Sequence, residues 1–283
     1  MADSDVTTVV ISRNRKADLL RTLPRHSRPT VLVDNGSTDG TVPEVRRRFP
    51  WIRTVRLPEN RGAQARNVGV EVAETPYVAF ADDDSWWAPG SLPQAAQILD
   101  THPRVGLLGA RILLGEECRE DPLSTAMAAS PLPRFGELPG RPVLGFASCA
   151  AVVRRSVFLQ AGGFDPVIFF MGEETRLALD LAAAGWELCY VPRLTVHHHP
   201  SAVRDPGART RLVARNQLLT AVMRRPWRAA VRIVWQSVRA GPDEARGVLA
   251  AIPRLPAAVA ARRRISPGLE ARLRLAEQAG APA

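Results

Sequence analysis

The sequence predicts an α/β protein, a doubly wound and mostly parallel sheet followed by a helical C-terminal extension. Three observations carry that prediction. Short apolar, β-branched runs alternate with stretches of helical character from residue 7 to residue 191, the alternation that builds parallel sheets. Several of those runs end directly in polar clusters, and ligands of open α/β sheets bind outside the carboxyl ends of the strands. From Arg204 onward the chain is dense in Arg, Ala, Leu and Val and poor in acids.

The run 7–11 (TTVVI) reads as a buried parallel strand, and it ends in Ser12, Arg13, Asn14 and Arg15. A short helix fits 16–23. A second strand at 29–33 (PTVLV) ends in the polar turn DNGSTDGT, and Thr41 with Glu44 has capping-box spacing for a helix through Phe49. A third strand spans 52–57, and the segment ENRGAQARNVG from Glu59 opens a helix towards Glu74. A fourth strand, 77–81 (YVAFA), feeds straight into Asp82, Asp83 and Asp84. Ser91 and Gln94 cap a helix towards Asp100, and 105–110 is a fifth strand.

Between 115 and 141 periodicity gives way to Pro, Gly and small residues, a candidate mobile loop beside the site. The stretch 142–153 (PVLGFASCAAVV) reads as one or two strands broken at Gly145, 155–161 as a short helix and 162–165 (GGFD) as a turn. Glu173 and Glu174 open a helix that turns Leu177, Leu181 and Trp186 to the core. A strand at 188–191 follows, and His197, His198 and His199 close the folded unit.

With 283 residues the chain accommodates one large α/β domain plus an appendage. Its net charge of +10 lies mostly in the late, Arg-rich part, which suggests an anionic partner or an arginine-biased proteome. Cys118, Cys149 and Cys189 form no CxxC pattern, as expected of a reduced cytoplasmic protein with inert buried thiols. The acidic start is not that of a signal peptide, and no apolar run approaches the roughly 18 residues of a membrane span.

Three adjacent Asp repel one another, so something must offset that repulsion. Hard carboxylate oxygens at a strand end suit Mg2+ or Mn2+ beside a phosphorylated substrate. The plainer alternative is a solvated acidic turn that caps a helix.

The ordered set SRNR, VDNGSTDGT, NRGAQARNVG, FADDD, GGFD, GEE and HHH followed by RNQLL resembles the family 2 glycosyltransferases of GT-A fold, a Rossmann-like architecture, over residues 7–227. The resemblance implies inverting, metal-assisted transfer of a sugar, rhamnosyl and other hexosyl donors included, from a UDP- or dTDP-sugar to an acceptor hydroxyl. It implies Asp84 as the metal ligand, with Asp82 towards the ribose and Asp83 also on the donor side. Asp34, with Asn35, corresponds to the base-recognition position, and Ser12, Arg13, Arg61 and Arg66 fall on the donor side. The ordinary readings are an Asx turn for Asp34 and, for Arg66, a helix arginine paired with Glu71 or Glu74.

The family places its catalytic base in a Glu-Asp pair at a helix start. Here the pair is Glu173-Glu174, so Glu174 aligns with the usual Asp and carries one extra methylene. Glu173 stays a rival, and acids at a helix N-terminus also stabilise the macrodipole. His199 is the imidazole candidate for the metal or diphosphate, sharing a strand face with His197 and opposed by His198. A loop of exposed imidazoles is the alternative. Trp86 and Trp87 either stack on a sugar or fill core.

These readings divide the chain into a nucleotide-sugar transferase domain, 1–203, and a basic helical extension, 204–283. Within 224–239, Trp227, Val231, Val234, Trp235 and Val238 follow helical spacing, with Arg225, Arg228, Arg232 and Arg239 around them. Such a helix suits a peripheral membrane contact or packing on the domain or a partner subunit. The acceptor is a polysaccharide, a lipid-linked saccharide or a small molecule. A nucleotidyltransferase would need an early phosphate-cradling Gly-rich loop with a Lys, which Lys16 alone does not supply. A non-catalytic binding protein on a degenerate transferase scaffold is the other rival. Nucleic acid is disfavoured as a partner, since the basic residues lack interleaved aromatics and a recognisable binding fold.

Overall fold

Ten strands form one sheet in a computed structural model that describes residues 5–134, 136–200 and 206–280. The strands are β1 (Val6–Ser12), β2 (Thr30–Asp34), β3 (Arg53–Arg56), β4 (Tyr77–Asp82), β5 (Ser85–Trp87), β6 (Val105–Leu114), β7 (Arg119–Glu120), β8 (Arg141–Pro142), β9 (Ala151–Arg154) and β10 (Glu187–His198). Their order is β3-β2-β1-β4-β9-β6-β10-β5, with β7 beside β6 and β8 beside β10. The sheet is parallel except at β9, which runs against β4 and β6, at β5, which runs against β10, and at the short β7 and β8.

The helices that connect and cover these strands are α1 (Lys16–Thr22), α2 (Thr41–Arg48), α3 (Ala65–Val72), α4 (Ser91–Thr101), α5 (Pro122–Ala128), α6 (Arg155–Gln160) and α7 (Glu173–Ala183). Five more follow: α8 (Pro206–Arg224), α9 (Trp227–Ala240), α10 (Pro242–Ala251), α11 (Leu255–Ala260) and α12 (Pro267–Gln278). β1 is buried along its whole length, as a strand covered on both faces must be. Helix α3 packs tightly on β1 and β2, because Gly69 brings its backbone where any Cβ would overlap the Val9 side chain.

Two expected capping boxes do not form. Helices α2 and α4 start instead after Gly40 (φ 78°) and Gly90 (φ 81°), with no side-chain cap. The Thr41 hydroxyl is engaged by the Asp39 carboxylate, while Glu44 is drawn to Arg47 and Arg48. Ser91 Oγ accepts the Thr195 N–H at 3.1 Å. In both cases a stronger partner has captured the capping side chain.

The last strand is longer than 188–191. β10 reaches His198 through an irregularity between Val191 and Thr195, where Pro192 would otherwise interrupt the ladder. His197 and His198 therefore sit on a strand. The 115–141 segment also carries more structure than a loop, since α5 forms within it behind the Asp121 side chain, which accepts the Leu123 N–H at 2.8 Å. Cys118 is exposed, unlike Cys149 and Cys189.

The extension packs on the sheet domain. Asn216 of α8 donates to the Phe170 carbonyl at 2.6 Å and to that of Met171, Arg224 grips Asp180, and Arg254 donates to the Val167 carbonyl at 2.9 Å. Arg225 is buried rather than on the surface, paired with Glu270 at 3.0 Å and with Glu277. The expected boundary between residues 203 and 204 lies outside the described residues. Among those described, no helix is long and apolar enough to cross a membrane.

His26, between α1 and β2, is buried with neither ring nitrogen hydrogen-bonded among the described residues. Burial lowers its pKa from 6.5 to about 4. In that window the unfolded chain binds a proton that the folded chain refuses, so this contribution is full above pH 6.5 and is lost as pH falls towards 4. The loss amounts to about 3 kcal/mol across the window. Thermal unfolding of His26→Leu against the parent from pH 7 to about pH 4.5 should show a shallower acid-side decline in the variant. Parallel curves would refute the assignment.

Candidate active site

The polar clusters meet at the carboxyl edge of the sheet because the parallel register aligns their strand ends. Ser12 lies opposite Asp34, and Ile11 lies opposite Asp82. Since β9 runs the other way, the turn that enters it, Ser148–Ala150, arrives at the same edge. Helix α7 begins there too, after Gly172 at φ 84°.

Asp34 is 0 % exposed, and its Oδ1 has no hydrogen-bond partner among the described residues. Its Oδ2 accepts the Ser37 N–H at 3.3 Å. A buried carboxylate oxygen without a donor is costly, and a ligand N–H would satisfy it. Asn35 instead braces the loop, accepting the Arg61 N–H at 2.8 Å and donating to the Gly62 carbonyl at 3.0 Å. Gly62, at φ 58°, lets the 165–171 segment come so close that a Cβ would overlap the Phe169 carbonyl. The Ser12 hydroxyl is buried beside this edge, whereas the Arg13 and Arg61 side chains are exposed.

The three Asp have three different surroundings. Asp82 pairs with Arg66 at 2.5 Å. Burial, and then the charges of Asp84 and Asp82, push Asp83 up to about 7. Asp84 is buried, with His198 Nε2 at 3.3 Å and Arg15 Nη2 at 3.7 Å. Arg15, not Arg13, is the strand-end arginine that reaches the triplet.

His198, not His199, presents its ring to Asp84. The β5–β10 register sets Ser85 opposite His198 and Trp86 opposite His197, so side-chain alternation fixes which imidazole faces the triplet. His199 donates its backbone N–H to the Asp84 carbonyl at 2.8 Å, and its ring lies 4.7 Å from that of Trp86. His197 stacks on Trp86 at 5.3 Å, and Arg25 lies over the same ring at 4.1 Å. Trp86 is thereby enclosed by side chains of this protein. Trp87 is buried and donates to the Phe80 carbonyl at 3.1 Å.

Arg66 is fully buried and paired not with Glu71 or Glu74 but with two carboxylates from opposite sides of the site. Its second partner is Glu173, at 3.5 Å from Nη1. Glu173 is itself buried, and burial followed by repulsion from Glu174 pushes its pKa up to about 8 against the pull of Arg66. Glu174 is half-buried, and its Oε1 accepts both the hydroxyl (2.9 Å) and the backbone N–H (3.2 Å) of Ser148. Asn67, beside Arg66, pins Phe164 with a pair of backbone hydrogen bonds at 2.9 Å.

Carboxylate oxygens suit Mg2+ or Mn2+, and a cation would offset the charge that burial beside Asp84 and Asp82 makes costly on Asp83. Among the described residues no three His, Cys, Asp or Glu side chains converge on a cation site. Such ions often take only one or two carboxylates and complete their shell with water and substrate phosphate. The residues fit that use.

Residues 7–161, which include Asp34 and the triplet, match the family model for glycosyl transferase family 2. The chain belongs to glycosyl transferase family 2. Among relatives, this glycosyltransferase is 31% identical over 216 residues to the N-acetylglucosaminyl-diphospho-decaprenol L-rhamnosyltransferase of Mycobacterium tuberculosis (strain ATCC 25618 / H37Rv), covering 63% of this chain and 69% of that protein. It is 32% identical over 218 residues to the pre-mycofactocin glycosyltransferase of the same strain, covering 72% of this chain and 45% of the other. The fold is shared with the mannosyltransferase PcManGT from Pyrobaculum calidifontis in complex with GDP-Man and Mn2+ (TM-score 0.56, 23% identity, 92% of this chain and 74% of that one). It is shared too with S. aureus TarS 1-349 in complex with UDP (TM-score 0.58, 18% identity, 97% and 88%). The Glu173-Glu174 pair of this glycosyltransferase lies beyond the segment that matches the family model.

Proposed function

We propose that the protein is an inverting glycosyltransferase that moves a sugar, rhamnosyl or another hexosyl, from a UDP- or dTDP-sugar to a hydroxyl of a lipid-linked saccharide. The observation that carries this reading is Arg66, buried and shared between Asp82 of the triplet and Glu173 of the acidic pair. One cation thereby fastens the donor carboxylates to the helix start that bears the base. The diphospho-decaprenol named for the Mycobacterium tuberculosis relative supports the acceptor class, and an acceptor of that class would be met at a membrane surface.

In this mechanism Asp34 accepts an N–H of the nucleobase through its unpartnered oxygen, which leaves uracil and thymine equally suited. Asp84, with His198 behind it, would hold Mg2+ or Mn2+, whose chemistry is Lewis-acid stabilisation of the leaving diphosphate. Asp83 and Arg15 complete that wall, and Ser12 faces the ribose side with Asp82. Glu174 takes the proton from the attacking hydroxyl, since it is the half-exposed member of the pair and its carboxylate is aimed by Ser148. Glu173 stays beneath Arg66 and fixes its direction.

The test is a UDP- and dTDP-sugar panel with Mg2+ or Mn2+, read by calorimetric binding and by sugar transfer to a diphospho-polyprenol saccharide. Saturable donor binding that Asp34→Ala weakens by about tenfold or more, the cost of leaving a nucleobase donor unpaired, supports the reading. No binding across the panel overturns the donor class, and donor binding with transfer only to non-lipid acceptors overturns the acceptor class.

A further inference from the structure

Helix α9 is turned inside out. Its inward positions hold the small residues Ala229, Ala230 and Ser237, with Ile233 and Val234 half-buried. Its large apolar side chains face solvent: Trp227 is 53% exposed, Val231 68%, Trp235 56% and Val238 61%. At 100° per residue these four fall within one stripe of about 80°. Arg228, Arg232 and Arg239, all exposed, follow along one flank, and α9 carries no carboxylate.

The stripe is also held in place. The Arg239 guanidinium lies over the Trp235 ring at 4.1 Å, and that of Arg262, just beyond α11, lies over Trp227 at 4.1 Å. Arg262 is anchored in turn by donating to the Arg225 carbonyl at 2.7 Å. Both tryptophans thus carry a cation beside an apolar ring, the combination that suits the boundary between lipid headgroups and acyl chains.

We infer that α9 docks this glycosyltransferase on an anionic lipid surface, with Trp227, Val231, Trp235 and Val238 entering the headgroup boundary and Arg228, Arg232 and Arg239 meeting lipid phosphates. Charge complementarity selects this occupant. Two copies of α9 pressed together would bring two rows of unrelieved arginines into one interface, where like charges oppose association, whereas a phosphate-bearing bilayer neutralises them. The placement fits an acceptor carried in lipid, because α9 continues from α8, whose Asn216 braces the Phe170 and Met171 carbonyls immediately before Gly172 and Glu173. The docking face and the acidic pair are therefore linked through a single helix. This inference extends the proposed acceptor class but is read without donor or turnover, so either can fail alone.

The experiment is flotation of the full chain with phosphatidylcholine vesicles, with and without phosphatidylglycerol, at low and high salt. Binding should require the anionic lipid, weaken with salt, and fall at least about tenfold in Val231→Ser/Trp235→Ser, which removes exposed apolar surface and leaves every arginine in place. Arg228→Glu/Arg232→Glu/Arg239→Glu should lower it by about a hundredfold or more. All substituted positions are exposed, and circular dichroism checks that the helices persist. Absence of binding to phosphatidylglycerol vesicles, or equal binding by the parent and both variants, overturns the inference. So does a lipid-free dimer in sedimentation that Val231→Ser/Trp235→Ser dissolves, since the stripe would then be a contact between copies.

Discussion

Glu174→Gln will keep donor binding within about twofold and lower the transfer rate by about 10²–10⁴-fold, the span that a positioned general base supplies. Glutamine preserves the length of the side chain and the acceptor atom that Ser148 holds, so the loop should stay in place while the proton acceptor is lost. The companion variant Glu173→Gln distinguishes the two acids. Glu173 is buried beneath Arg66, so its amide should disturb Arg66 and with it donor affinity more than the chemical step. Donor affinity comes from calorimetry and the rate from single-turnover transfer. A Glu174→Gln enzyme that transfers at the parental rate would move the base to Glu173 or elsewhere.

Asp84→Asn should abolish saturable Mn2+ binding in the presence of UDP, followed by electron paramagnetic resonance, and lower turnover by about 10²–10³-fold, comparable with the loss of one preorganised charge-stabilising group. Asparagine is preferred to alanine because it keeps the side-chain bulk that His198 meets, and the His199 N–H bonds the backbone carbonyl at this position whatever the side chain. Asp83→Asn makes the contrast. Asp83 faces Arg15, 3.8 Å from its Nε, rather than the imidazole that accompanies Asp84, so removing its charge should cost far less. Equal losses in the two variants, or undiminished Mn2+ binding in Asp84→Asn, would contradict the division of labour within the triplet.

The parallel architecture and the acidic strand end were legible because they depend on local pattern. A β-branched run ending in charge says where a strand stops and which edge it faces. Other parts depend on pairings that local pattern does not contain. Which histidine meets Asp84 is a parity question settled by the β5–β10 register, and shifting that register by one residue would exchange His198 for its neighbours. Ser148 carried no signal, since its place at the site follows from β9 running antiparallel. The resemblance set Arg66 on the donor side, with a helix pairing as the alternative, but its actual partners had no local signal because they come from strand β4 and helix α7. For α9 the spacing revealed a stripe but not its direction, as amphipathicity alone does not say which face a domain will cover.

Strand β9 has a consequence for how the chain is made. It fills the seam between β4 and β6, bonding to both through Val152, which lies opposite Ala79 on one side and Leu108 on the other. During synthesis β1 to β8 all leave the ribosome before that seam can close. Until Ala151–Arg154 emerges, β4 and β6 each present an open edge, and unpaired edges invite pairing with other chains. A nascent chain stopped just short of residue 151 would therefore be an aggregation hazard, and one four-residue strand decides whether the two flanks of the sheet become one body.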